Sequence, residues 1–138
     1  MLKVATVCSG IGAPEKALKM LGIPYELSFF SEIDVPAIRA YCAIHNESPD
    51  KNFGNLENIN QKPIPQDLDL LVGGTPCQDF SNAGLRKGGE EGSGTRSSLM
   101  WYYVKLIALS KPKVVIWENV AAVVSIKHIR NYRKFCHT

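Results

Sequence analysis

Residues 68–77 read LDLLVGGTPC, an apolar run ended by two glycines, a threonine, a proline and a cysteine. A short, continuous apolar run bounded by turn residues suits a strand covered on both faces, the condition of parallel sheets, whose strands are joined by helices. The flanking sequence has that rhythm. On the N-terminal side, "KVATVCS" (3–9) reads as a first strand, "GIGA" as a turn, and the residues from Pro14 to about Leu21 as a helix stopping near Gly22. "YELSFFSEI" (25–33) reads as a second strand, Asp34 as a helix cap and "VPAIRAYCAIH" as a second helix with Pro36 near its start. "GNLENI" and "QKPIPQ" read as loops. On the C-terminal side, "SSLMWYYVKLIALS" (97–110) has helical spacing and "KVVIWENV" (113–120) reads as a fourth strand; "AAVVSIKHIRNYRKF" begins another helix. The fold class expected is α/β, a doubly wound, Rossmann-like parallel sheet.

Length and composition agree with one ordinary globular domain: 138 residues, 45% hydrophobic and 21% charged. No apolar run approaches the ~18 residues of a membrane span, and "MLKVATVCSG" is too soon broken for a signal peptide. A cytoplasmic protein without membrane contacts is expected. The net charge of +3 says little about partners; its distribution says more. Lys127, His128, Arg130, Arg133, Lys134 and His137 crowd the end, as a basic face or as a solvated terminal helix. The four cysteines, Cys8, Cys42, Cys77 and Cys136, form no metal-ligand spacing and imply no disulfide.

In doubly wound folds ligands bind beyond the carboxyl ends of the strands, and each predicted strand end here carries a chemical group. The turn "SGIGAPE" presents Gly10 and Gly12 before a helix N-terminus, as a ligand-binding turn or as a simple turn maker. Glu32 follows Gly12 by 20 residues and closes the second strand, where an acid can bind ribose hydroxyls, so an adenosine-containing cofactor is expected. Cys77 lies in a sharp turn outside its strand, either an inert thiol or a nucleophile. Glu118 ends the run "VVIW", which is expected to be buried; a carboxyl group there is either a cap or a proton donor.

Together "GGTPCQDFS", "WENV", "SGIGAPE" and "GTRSSL" resemble the DNA (cytosine-5) methyltransferase family, over nearly the whole chain and in the family's order. The resemblance implies methyl transfer from S-adenosylmethionine to C5 of a cytosine flipped out of DNA, through a covalent cysteine adduct. It makes Cys77 the nucleophile, Glu118 the group that meets N3 of the base, and Asn119 a support of the Pro76 loop. Gly10, Gly12, Glu32, Ile33, Asn55, Pro76 and Leu99 would line the cofactor site, and the glycine-rich stretch 82–96 resembles the family's closing loop. Thr6-Val7-Cys8 replaces the family's Asp-Leu-Phe, and Asn55 stands where an aspartate is usual.

The family's Gln-x-Arg-x-Arg strand, target-recognition region and closing C-terminal segment are not found in these residues. Residues 1–138 therefore read as the N-terminal, cofactor-binding and catalytic part of such a domain, truncated. Two other readings follow: a non-catalytic fragment or subunit completed by a second polypeptide, and a nicotinamide oxidoreductase, which would leave Cys77 and "WENV" unexplained. An open sheet edge would favour a homo-oligomer.

Overall fold

In a computed structural model, the structure describes residues 1–77, 91, 92, 94, 96–125 and 128–137. Among these, four strands form one parallel sheet: β1 (Leu2–Val7), β2 (Tyr25–Ser31), β3 (Leu70–Gly73) and β4 (Val114–Trp117), in the order β2-β1-β3-β4. The helices are α1 (Ala13–Met20), α2 (Val35–His45), α3 (Leu99–Ser110) and α4 (Ile129–Cys136). The chain leaves β1 toward β2 on one side and β3 toward β4 on the other, which is the doubly wound topology expected. An isolated bridge between Phe30 and Asn52 continues the order outside β2.

Right-handed crossovers in opposite directions place α1 and α3 on opposite faces of the sheet. The side chains of β1 show both faces. Ala5 and Val7 pack with Tyr103 and Leu106 of α3, whereas Thr6 meets Glu15 of α1. Such double coverage leaves Val4 to Val7 at most 1% exposed. In β2 the register slips between Val4 and Ala5 of its neighbour, so that Leu27 and Phe30 face Tyr41 of α2 while Phe29 turns to the α3 side. A bulge of this kind re-aims side chains by one position.

The helix starts follow their sequence signals. Asp34 Oδ2 accepts the Ala37 N–H at 3.0 Å to cap α2, with Pro36 in its first turn. α1 begins from Gly12 at φ 83°, and a Cβ on Gly12 would come 2.2 Å from His45 Nε2, so both conformation and packing require glycine.

Three expectations need correction. "GNLENI" is not simple loop: Asn55 caps a 3₁₀ helix, Leu56–Gln61, whose Leu56 and Ile59 enter the core against α3. The C-terminal segment is not one helix, because the 3₁₀ turn Ala121–Val124 precedes α4 with an extended residue, Ser125, after it. The run "VVIW" is not buried: β4 is the sheet's edge among the described residues, with Val114, Val115 and Ile116 53%, 37% and 49% exposed. Burial of a strand depends on its neighbours as well as on its own apolar content.

Candidate active site at the switch point

β1 and β3 lie side by side but their connections diverge, so their carboxyl ends frame the crevice where doubly wound folds bind ligands. From β1 come Cys8 (φ 50°), Ser9 and Gly10 (φ 54°); from β3 come Gly74, Thr75, Pro76 and Cys77. Two cavities open here, and Cys8 borders both.

The first, about 360 Å³, is walled by Glu32, Ile33, Asn55, Pro76 and Leu99. These residues come from the ends of β2 and β3, the cap of the 3₁₀ helix and the start of α3, brought together by the sheet order. The backbone N–H of Gly10 donates to Glu32 Oε2 at 2.8 Å, tying the glycine turn to the same wall. Glu32 Oε1 accepts from the N–H groups of Ile33 (2.7 Å) and Asp34 (3.0 Å), and its backbone is clamped by Asn52. Three N–H donors on one carboxylate fix it at the mouth of β2. Asn55 spends its amide on a cap: Oδ1 accepts from Glu57 N–H at 3.0 Å and Nδ2 donates to the Glu57 carboxylate at 3.1 Å. Gly12 does not reach this cavity; it is buried against His45 and Tyr41.

The second cavity, about 340 Å³, lies between the glycine turn and β3, with Ser9, Pro14, Gly74 and Glu118 among its walls. Glu118 is exposed, and its Oε2 lies 3.3 Å from where a Gly74 Cβ would stand, so the absence of a side chain at Gly74 leaves it room. The turn that carries Cys77 is pinned from β4. Thr75, 3% exposed, accepts Trp117 Nε1–H on its hydroxyl at 2.9 Å and Asn119 Nδ2–H on its carbonyl at 3.1 Å. Asn119 thus holds the residue immediately before Pro76. Trp117 is in turn stacked on Phe135 of α4, with ring centroids 4.2 Å apart.

Burial, with a smaller contribution from the Glu32 charge, pushes the Cys8 thiol up to about 11. Cys8 therefore enters the site as a neutral group. Cys77 is half-buried; Gln78 to Ser81 of its motif, and most of the glycine-rich stretch 82–96, lie outside the described residues. Arg96, Ser31, Gly54 and Leu56 also line the first cavity; sequence reasoning places Arg96 only in the 82–96 stretch and assigns Ser31 and Leu56 no role. The signal for Ser31 and Leu56 is adjacency to Glu32 and Asn55. Among the described residues no cluster of His, Cys, Asp and Glu could hold a metal ion, and no helix is long and apolar enough to cross a membrane.

A doubly wound sheet with a glycine turn, a strand-end glutamate and a cavity at the switch point defines a Rossmann-like, nucleotide-cofactor class of fold. The crystal structure of the Dnmt2 methyltransferase of S. pombe shares it: TM-score 0.66 at 18% identity, over 99% of this chain and 39% of that one. The family model of the C-5 cytosine-specific DNA methylases matches residues 2–138, and the chain belongs to that family. Relatives include the orphan methyltransferase M.Rho11sI of Bacillus phage rho11s, 47% identical over 90% of this chain and 24% of its own length. The type II methyltransferase M2.ScrFI of Lactococcus lactis subsp. cremoris is 31% identical over 98% of this chain and 51% of its own length. The chain thus spans a quarter to a half of these relatives' lengths.

Proposed function

We propose that residues 1–138 are the cofactor-binding and catalytic part of an enzyme that methylates C5 of cytosine in DNA, with Cys77 as nucleophile. The observation that carries this reading is the convergence of the Cys77 turn, Glu118 and the Glu32 cavity at one switch point, with Thr75 locked by Trp117 and Asn119.

The first cavity suits S-adenosylmethionine by its chemistry. Its volume lies in the usual range for small-molecule sites, Ile33, Leu56, Pro76 and Leu99 offer apolar walls for a planar base, and the Glu32 carboxylate, with three N–H donors on its roughly four lone-pair positions, keeps an acceptor on Oε2 for a ribose hydroxyl. When bound, this cofactor supplies an electrophilic methyl group. The protein's own residues do the rest. The Cys77 sulfur bonds to C6 of a cytosine taken out of the stack, while Glu118 hydrogen-bonds or protonates N3 and draws electron density from the ring. C5 then carries the electron pair that accepts the methyl group; loss of the C5 proton to a base and breaking of the C6–sulfur bond restore the ring. The covalent step divides one difficult substitution into easier ones.

A rigid turn matters here because well-oriented reactants account for roughly 7–11 kcal/mol of such barriers. Thr75, held at two atoms from the end of β4, sets the direction in which Cys77 leaves β3. Pro76 narrows it further by fixing its own φ.

A second reading is favoured by the β4 edge, unpaired among the described residues, and by the chain's share of its relatives: alone it is an inactive fragment, completed by further residues, by a second polypeptide or by a second copy. DNA is then a partner of the complete enzyme. To decide, residues 1–138 are grafted in place of the matching segment of the phage rho11s relative and supplied with DNA and methyl-labelled cofactor. Label recovered as 5-methylcytosine supports the reading; label on another base removes it. For the chain alone, calorimetry should show S-adenosylhomocysteine binding and none of NAD, whereas NAD alone would restore the oxidoreductase reading.

A further inference from the structure

Glu15 has no part in the chemistry above, yet its side chain is fully buried, at the third residue of α1. Its Oε1 accepts two hydroxyl protons, from Tyr41 of α2 and from Thr6 of β1, each at 2.6 Å. Its Oε2 is buried with no partner among the described residues. A leucine of similar size would bury with less cost, since an unpaired buried oxygen is destabilising. Packing alone therefore does not account for a carboxyl group here.

Donor counting shows what it does. Thr6 has one hydroxyl proton, and Glu15 takes it at 2.6 Å; Thr6 Oγ1 is then an acceptor toward Ser9, whose one hydroxyl proton lies between Thr6 Oγ1 at 3.0 Å and the Ser31 carbonyl at 3.3 Å. That leaves Ser9 Oγ to accept the Ser31 N–H at 3.4 Å, while the Ser9 N–H donates to the Ser31 carbonyl at 3.2 Å. Ser31 Oγ continues to the Gly54 carbonyl at 2.6 Å. The line runs from Glu15 to the ends of β1 and β2 and on to the turn before Asn55. Ser31 and Gly54, which it holds, are walls of the first cavity, as is Cys8, the neighbour of Ser9 in sequence; Gly10, on the other side of Ser9, is the residue that meets Glu32. Each bond in such a chain polarises the next.

We propose that Glu15 is a positioning residue of the cofactor cavity: by accepting from Thr6 it sets the order of the Thr6–Ser9–Ser31 hydrogen bonds and so the placement of the Gly10 N–H against Glu32. The cofactor part of this inference rests on the function proposed above; the hydrogen-bond part does not.

Amide hydrogen exchange and S-adenosylhomocysteine affinity of the 138-residue chain, measured for the native protein, Glu15→Gln, Glu15→Leu and Thr6→Val, test it. Glutamine keeps an oxygen acceptor, so Glu15→Gln should retain slow exchange at Ser9 and Gly10 and an affinity within about twofold, whatever it does to overall stability. Glu15→Leu and Thr6→Val should both speed exchange at Ser9 and Gly10 and weaken binding about tenfold, the worth of roughly one hydrogen bond. Leu71 and Leu106 should keep their protection. Thr6→Val, nearly isosteric, decides the matter if the leucine variant does not fold. Unchanged exchange at Ser9 and Gly10 in the Thr6→Val protein, or an equal rise at all amides, overturns the proposal. If the native chain binds no S-adenosylhomocysteine, the cofactor reading fails while the exchange measurements still decide the hydrogen-bond order.

Discussion

Cys8 shows how one residue at a strand end governs both chemistry and stability. It sits between the two cavities at φ 50°, with its thiol pushed up to about 11 by burial and by Glu32. In the unfolded chain a thiol titrates near ~8.5, so between that value and about 11 the unfolded state releases its proton first. Stability is therefore full below pH ~8.5 and falls as the pH rises toward 11, with Tyr41 and Tyr103, also raised by burial, adding to the loss at higher pH. Urea midpoints measured across this range should fall, and Cys8→Ala should remove the first part of the decline. At pH 8, iodoacetamide followed by mass spectrometry should label the exposed Cys136 and spare Cys8. Cys8 labelled as fast as Cys136 would contradict the burial. At this scale the sequence disclosed the residues that sit at strand ends, Glu32, Pro76 and Glu118, because position in a doubly wound fold is itself informative. It did not disclose Glu15, whose partners Thr6 and Tyr41 are 9 and 26 positions away and meet it only after the sheet is built.

The elements around the site divide into those with local signals and those set by their neighbours. α1 and α2 were readable from Pro14, Asp34 and Pro36, and β1 to β3 from their apolar runs. The 3₁₀ helix after Asn55 and the exposure of β4 were not, since both depend on packing. Two substitutions probe these classes. Gly12→Ala adds a Cβ at φ 83° against His45, and should destabilise the chain by at least about 2 kcal/mol in urea unfolding. A neutral result would contradict the packing of α1 on α2. On β4, Ile116 is 49% exposed on an edge unpaired among the described residues, a surface that invites pairing between chains. Ile116→Lys should change stability by less than about 0.5 kcal/mol and shift the sedimentation of the chain toward monomer. A native chain already monomeric at high concentration would show that the edge is not adhesive.

For the whole molecule, the sheet brings together groups that the sequence spreads from Gly10 to Asn119, and that assembly is what the family resemblance could name but not build. Residues 1–138 hold the Cys77 turn, its supports and a cofactor-sized cavity, while matching a quarter to a half of the relatives' lengths. The chain alone should thus bind cofactor weakly and methylate DNA little or not at all. The central claim, that Cys77 forms the bond to cytosine, is tested most directly by adduct trapping. With the chain grafted into the phage rho11s relative and DNA carrying 5-fluorocytosine, the blocked C5 position should arrest a denaturant-stable complex attached through Cys77, and Cys77→Ser should give none. The same complex from the Cys77→Ser graft, or no complex from a graft that methylates ordinary DNA, would contradict the account.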